Sequence, residues 1–169
     1  MSSDLLFPAT AAKQTVGISE LRVSADPNDV LVTYALGSCI GVAVYDPIIG
    51  VGGLLHALLP AASLDGARAK AVPPTFVDTG LTALLEACYR LGAQKNRVVV
   101  TAAGGAARNV LNGSEDHFQI GRRNFLALRQ ALWKHGIILQ AHDIGGHTPR
   151  TMSLAIGTGE VTISRYDNV

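Results

Sequence analysis

The chain has 169 residues, a formal net charge of +1, and 48% hydrophobic against 16% charged residues. This describes one globular domain with a core; it excludes a disordered segment and the basic footprint of a nucleic-acid binder. No apolar run reaches bilayer length, and residues 1–15 lack the charged start and apolar centre of a signal peptide, so a cytoplasmic protein without membrane insertion is expected.

Residues 1–15 read as a loose leader, and 16–169 as a single domain. Val16 to Val23 roughly alternates apolar and polar residues, which predicts a strand. Asp26-Pro27-Asn28-Asp29 is a turn cluster, and Val30 to Tyr34 is β-branched and aromatic, again a strand. Leu36-Gly37-Ser38-Cys39 breaks it; Ile40–Tyr45 and Gly52–Leu59 follow as a strand pair around Asp46-Pro47. Residues 61–75 are expected as a loop. Leu81, Leu84, Leu85, Cys88 and Leu91 recur at helical spacing, predicting a helix over 78–91 closed by Gly92. Val98 to Thr101 is a short strand, and 102–121 is glycine-rich and polar. A second helix is expected from Arg122 to His135, with Phe125, Leu128 and Leu132 on one face and Gly136 as the stop. Strands over 137–144, 151–156 and 161–166 complete the chain. Strands outnumber helices and do not alternate with them, which predicts an α+β fold.

Two cysteines do not make a disulfide framework, and no CxxC or HExxH spacing supports a zinc site. Cys88 belongs to a helix's apolar stripe and reads as core. Cys39 lies in Gly37-Ser38-Cys39-Ile40-Gly41, where small neighbours let the backbone bend and expose amides. Such amides can lower a thiol pKa and hold a developing oxyanion, and Gly37 and Ser38 are the candidates for that second role. His56 sits in an apolar strand and needs a partner if buried. Opposed residues of an antiparallel hairpin have numbers of constant sum: 95 for a two-residue loop at Pro47-Ile48, 97 for a four-residue loop from Pro47 to Gly50. Either register puts Cys39 and His56 on one face, roughly 5–8 Å apart at Cβ. A thiol with an imidazole in reach is the minimal pair for attack on an acyl carbon. Thr33, through its hydroxyl or its carbonyl, is the candidate third group that orients the ring.

The segment Gly104-Gly105-Ala106-Ala107-Arg108-Asn109 matches no nucleotide-loop motif and reads as a tight passage near a site. His117, His135, His142 and His147 show no metal-ligand spacing; His135 near a helix end reads as a dipole partner, and His147 as a loop residue.

These residues resemble a known family. Thr33-Tyr34-Ala35-Leu36-Gly37-Ser38-Cys39, Tyr45-Asp46-Pro47 and Gly52-Gly53-Leu54-Leu55-His56-Ala57-Leu58-Leu59-Pro60 are similar to the CheD chemoreceptor glutamine deamidases. So are Phe76-Val77-Asp78-Thr79, Gly104-Gly105-Ala106, Ile120-Gly121-Arg122-Arg123-Asn124, and Asp143-Ile144-Gly145-Gly146 with Arg150. The resemblance runs from about residue 16 to 165. It implies a β-sandwich of mixed or antiparallel sheets with helices on one side, related to bacterial toxin deamidases. It also implies hydrolysis of receptor glutamine side chains to glutamate, with Cys39, His56 and Thr33 in the catalytic positions and no cofactor. The implied partners are the cytoplasmic helices of chemoreceptors and a CheC-like phosphatase; a monomer is expected. The chain departs from the family at Ala107-Arg108, where Asn-Met is frequent, and at His147-Thr148-Pro149, in a loop usually richer in glycine. Two other readings use the same residues: a silent docking module for receptors or such a phosphatase, and another cysteine hydrolase such as a transglutaminase or free-amide hydrolase.

Overall fold

The computed structural model describes residues 12–107 and 119–166. Among the described residues nine strands form two sheets: β1 (Ala12–Thr15), β2 (Glu20–Ser24), β3 (Asp29–Leu36), β4 (Ile40–Asp46), β5 (Val51–Ala57), β6 (Val99–Gly104), β7 (Leu139–Ile144), β8 (Arg150–Ala155) and β9 (Val161–Arg165). One sheet has the order β1-β3-β8-β9 and the other β2-β5-β4-β6-β7. Both are mixed, since β1 runs parallel to β3 and β6 parallel to β7 while the other pairs are antiparallel.

Strand parity explains the layers. In β4, Ile40, Val42 and Val44 face a core built with Leu81, Leu84 and Leu85 of α2 (Val77–Arg90) and Leu128 and Leu132 of α3 (Ile120–His135). The alternate residues Ala43 and Tyr45 face the other sheet, packing with Leu31, Leu54, Met152 and Leu154. The molecule is therefore a β-sandwich with α2 and α3 covering the outer face of the five-stranded sheet, the expected α+β architecture. Both faces of that sheet are buried, which is why β4 and β5 read as continuous apolar runs.

Several local expectations change. The strand expected over 16–23 is two strands in different sheets. The chain leaves β1 and turns at Gly17–Ser19, where the Glu20 carboxylate accepts from Gly17 N–H (2.8 Å) and Ser19 takes φ 61°. Residues 12–15, read as the end of a leader, pair with β3. The loop over 61–75 contains a short helix, α1 (Gly66–Ala71), capped by the Asp65 carboxylate. β6 runs three residues beyond the expected strand, to Gly104. Cys88 is fully buried in the helix-side core. His135 lies in the last turn of α3 with Nε2 3.0 Å from Thr82 Oγ1, and His147 is exposed. Arg108, Asn109 and His117 lie outside the described residues.

Candidate active site

The hairpin of β4 and β5 pairs Ile40 with Ala57 and Gly41 with His56. This is the register of the four-residue loop, so Cys39, just before β4, is the diagonal neighbour of His56 on the face between the sheets. Cys39 packs in that inter-sheet core with Leu36, Leu54 and Met152. Thr33 reaches the same place from the opposing sheet, and both Thr33 and His56 are buried.

Thr33 Oγ1 lies 2.7 Å from Val16 O and 2.7 Å from His56 Nδ1. A hydroxyl has one hydrogen. It is donated to the Val16 carbonyl, so Oγ1 must accept from Nδ1–H. This fixes the ring tautomer and leaves the lone pair on Nε2, which has no hydrogen-bond partner among the described residues. The hydroxyl rather than the carbonyl of Thr33 therefore meets the imidazole. The crossover at Gly17–Ser19 supplies the other anchors: Val16 N–H donates to Val32 O, and Ser19 N–H to His56 O (2.9 Å).

Burial acts on both ionisable groups in the direction of neutrality. It pushes the His56 pKa down to about 4 and the Cys39 thiol up, more than the nearby backbone N–H brings it down. The expected lowering of the thiol pKa by the bend is thus outweighed by desolvation. At neutral pH the two groups are therefore a thiol and a neutral imidazole. The Cys88 thiol, free and buried, is pushed up to about 12 by burial.

The bend that presents Cys39 is built from several sides. β3 is irregular between Thr33 and Leu36, and Ala35 takes φ 56°. Gly37 N–H donates to Ala35 O (2.9 Å), while Ser38 N–H has no backbone acceptor among the described residues. Gly105 N–H donates to Cys39 O and Ala106 N–H to Gly37 O, both at 2.8 Å. This contact needs Gly104: at φ +110°, a Cβ there would sit 2.3 Å from Cys39 O. The stretch from Gly104 is thus the tight passage beside the site that the sequence suggested.

Two residues of the family-like segments, Asn124 and Arg150, support the bend without a hydrogen bond to His56 or Thr33 among the described residues. Asn124, on α3, donates from Nδ2 to Ser38 O (2.9 Å) and Leu58 O (3.1 Å), tying the bend to the end of β5. Its signal in the sequence is a polar residue on the helix's apolar face, with Leu128 and Leu132. Arg150 is buried at the start of β8, at the inward parity of Met152 and Leu154. It donates to Gly104 O (3.3 Å) and pairs with Asp143 (3.3 Å), which Arg165 also holds. Those arginines keep the Asp143 carboxyl below the usual range. His147 itself is exposed, and its neighbour Gly146 accepts from Ala107 N–H (2.8 Å).

A sequence profile described as CheD chemotactic sensory transduction matches residues 58–165. The chain is 48% identical over 148 residues to the probable chemoreceptor glutamine deamidase CheD 1 of Syntrophus aciditrophicus (strain SB), covering 88% of this chain and 91% of that one. It is 45% identical to the probable chemoreceptor glutamine deamidase CheD of Solibacter usitatus (strain Ellin6076), over 86% and 85% of the two chains. A third relative, of the same description in Symbiobacterium thermophilum, is 44% identical over 89% and 91%.

Proposed function

The chain belongs to the CheD family, and from that premise we propose that it hydrolyses glutamine side chains of chemoreceptors to glutamate, with Cys39 as nucleophile, His56 as base and Thr33 as the group that orients the base. The observation that carries this reading is the chain Val16 O, Thr33 Oγ1, His56 Nδ1. It leaves the Nε2 lone pair, without a partner among the described residues, on the face that holds Cys39. A purely adhesive module has no physical need for that arrangement.

The steps follow from the protonation states. His56 Nε2 takes the Cys39 proton as sulfur attacks the glutamine Cδ. Because the resting pair is neutral, proton transfer accompanies attack and no ion pair waits in the free protein. The oxyanion is held by backbone N–H groups at Ser38 and Cys39, with Gly37 shaping the bend. The C–N bond breaks, and ammonia leaves with the proton from Nε2–H. Water then gives a proton to Nε2 and its oxygen to the thioester carbon; glutamate departs, and the proton returns to Cys39. No cofactor enters these steps. The reading includes a cytoplasmic monomer that meets receptor helices and a CheC-like phosphatase; among the described residues no helix is long and apolar enough to cross a membrane.

Incubation with receptor cytoplasmic fragments, followed by peptide mass mapping, tests the reading. Gln-to-Glu shifts at defined positions are expected, and Cys39→Ala should abolish them. Binding without conversion by the wild-type protein would favour the docking module. Conversion of free glutamine but not of the fragments would favour another amide hydrolase.

A further inference from the structure

A glutamine amide is common on protein surfaces, and a thiol with an imidazole acts on any acyl group that reaches it. Selection of particular glutamines therefore needs a surface outside the chemical site.

Helix α3 starts beside that site and is fixed to it. Asn124 holds Ser38 O, and Gly121 packs so closely that a Cβ would lie 2.4 Å from Ala106 O. Along the outward side, Arg122, Leu126, Arg129 and Trp133 recur at i, i+4, i+7 and i+11, which makes one stripe about 17 Å long. All four are exposed, and Trp133 is 84% exposed. Arg123 and Lys134 flank the stripe, and α3 contains no acidic residue. Among the described residues none of these four cations has an ion-pair partner. In a chain of 14 basic and 13 acidic residues, such an uncompensated face is a local asymmetry. Beside the stripe, a groove of about 590 Å³ runs between α3 and β7, rimmed by Phe125, Arg129, Trp133 and Ile138. Exposed Trp and Arg together are the side chains that anchor protein interfaces.

We infer that this α3 face, from Arg122 to Trp133, is where the substrate docks, and that its partner is an acidic amphipathic helix. Carboxylates two turns apart on that helix meet Arg122 and Arg129, and its apolar residues cover Leu126 and Trp133. The inference rests on the proposed reaction for its substrate and on charge complementarity for the occupant. Docking at the Arg122 end brings a glutamine on the same helix to the bend that carries Cys39.

The test uses the full chain, an Arg122→Glu/Arg129→Glu variant and Trp133→Ser. The first probe is a fluorescent synthetic helix of Glu and Leu at i, i+4 spacing, with a twin carrying Lys for Glu. Wild type should bind the acidic helix and not the twin. The charge-reversed variant should lose at least about tenfold in affinity for it, and the loss should shrink as salt rises. On a receptor fragment, kcat/KM should fall by a similar factor, carried by KM, while the rate of Cys39 alkylation stays at the wild-type value. Equal binding of both helices, or unchanged binding and turnover in the charge-reversed variant, overturns the inference. So does a wild-type dimer in sedimentation that Trp133→Ser dissociates, since the face would then serve a second copy. If wild type converts no glutamine of the fragment, the deamidase reading falls, and the helix-binding arm still decides the docking face.

Discussion

A threonine hydroxyl donates once, and Thr33 donates to Val16 O, which decides the tautomer of His56. Thr33→Ala removes the acceptor for Nδ1–H and frees the ring to turn. Turnover is expected to fall by about a hundredfold or more, in line with orienting groups of other triads, while Thr33→Ser should restore most of it. Wild-type turnover in the alanine variant, with folding verified by circular dichroism, would take the hydroxyl out of the mechanism. The protonation states give a second expectation. With the Cys39 thiol raised by burial and His56 lowered to about 4, alkylation of Cys39 by iodoacetamide should keep rising with pH through the alkaline range. A plateau between pH 5 and 8, as a thiolate–imidazolium pair gives, would contradict it. Cys88, buried and with a thiol pushed up to about 12, should label last. Much of this was legible in the residues: strand parity with a two- or four-residue hairpin loop puts Cys39 and His56 on one face, and the four-residue register is the one observed. Which atom of Thr33 meets the ring was not, because it depends on Val16, seventeen positions away and in another turn of the chain.

At the level of elements, the bend with Cys39 is held by pieces remote in sequence: the end of β6, the first turns of α3 and the start of β8. Asn124 gives this a sharp test. Its Nδ2 serves two carbonyls, Ser38 O and Leu58 O. Asn124→Ala leaves both half-buried acceptors without that donor, a loss of about 1–3 kcal/mol, measurable in denaturant melts. Asn124→Asp has nearly the same shape but sets a carboxylate against two carbonyl oxygens. It should be the less stable of the two variants and should lose more turnover. An aspartate variant as stable as wild type would show that the contact is packing rather than hydrogen bonding. The sequence located helices α2 and α3 and most strands because their apolar periods are long. It missed the break between β1 and β2, because alternation continues through Gly17–Ser19 and only tertiary pairing assigns the two halves to different sheets. It stopped β6 early because Ala102, Ala103 and Gly104 carry little β-propensity; their place is set by close packing against β4 and the bend.

For the whole molecule, the candidate site lies in the seam between two sheets, so its polar groups share the interior of the sandwich. That placement has a consequence for stability that does not require catalysis. The free chain titrates its histidine near 6.5, whereas His56 in the fold is pushed down to about 4 by burial. Above pH 6.5 both states carry a neutral ring, and no difference arises. As pH falls from 6.5 towards 4, the unfolded state gains a proton that the folded state refuses, so stability declines; below about 4 both are charged, and the decline from this group ends. Each pH unit of that interval is worth about 1.4 kcal/mol, which makes the full loss about 3 kcal/mol. The buried Asp46 carboxyl, held down by Arg97 and two backbone N–H groups against the opposing effect of burial, acts in the same direction but below the ordinary carboxylate range. Its window lies under that of His56. Urea melts from pH 8 to pH 4 should therefore show a steep loss in wild type beginning near pH 6.5. His56→Gln, which cannot titrate, should lose about 3 kcal/mol less over the same range, whatever its stability at pH 8. Parallel curves for the two proteins would mean that the ring takes up its proton in the folded state near the ordinary value. The neutral imidazole assigned to the resting site, and with it general-base attack by an unionised pair, would then be wrong.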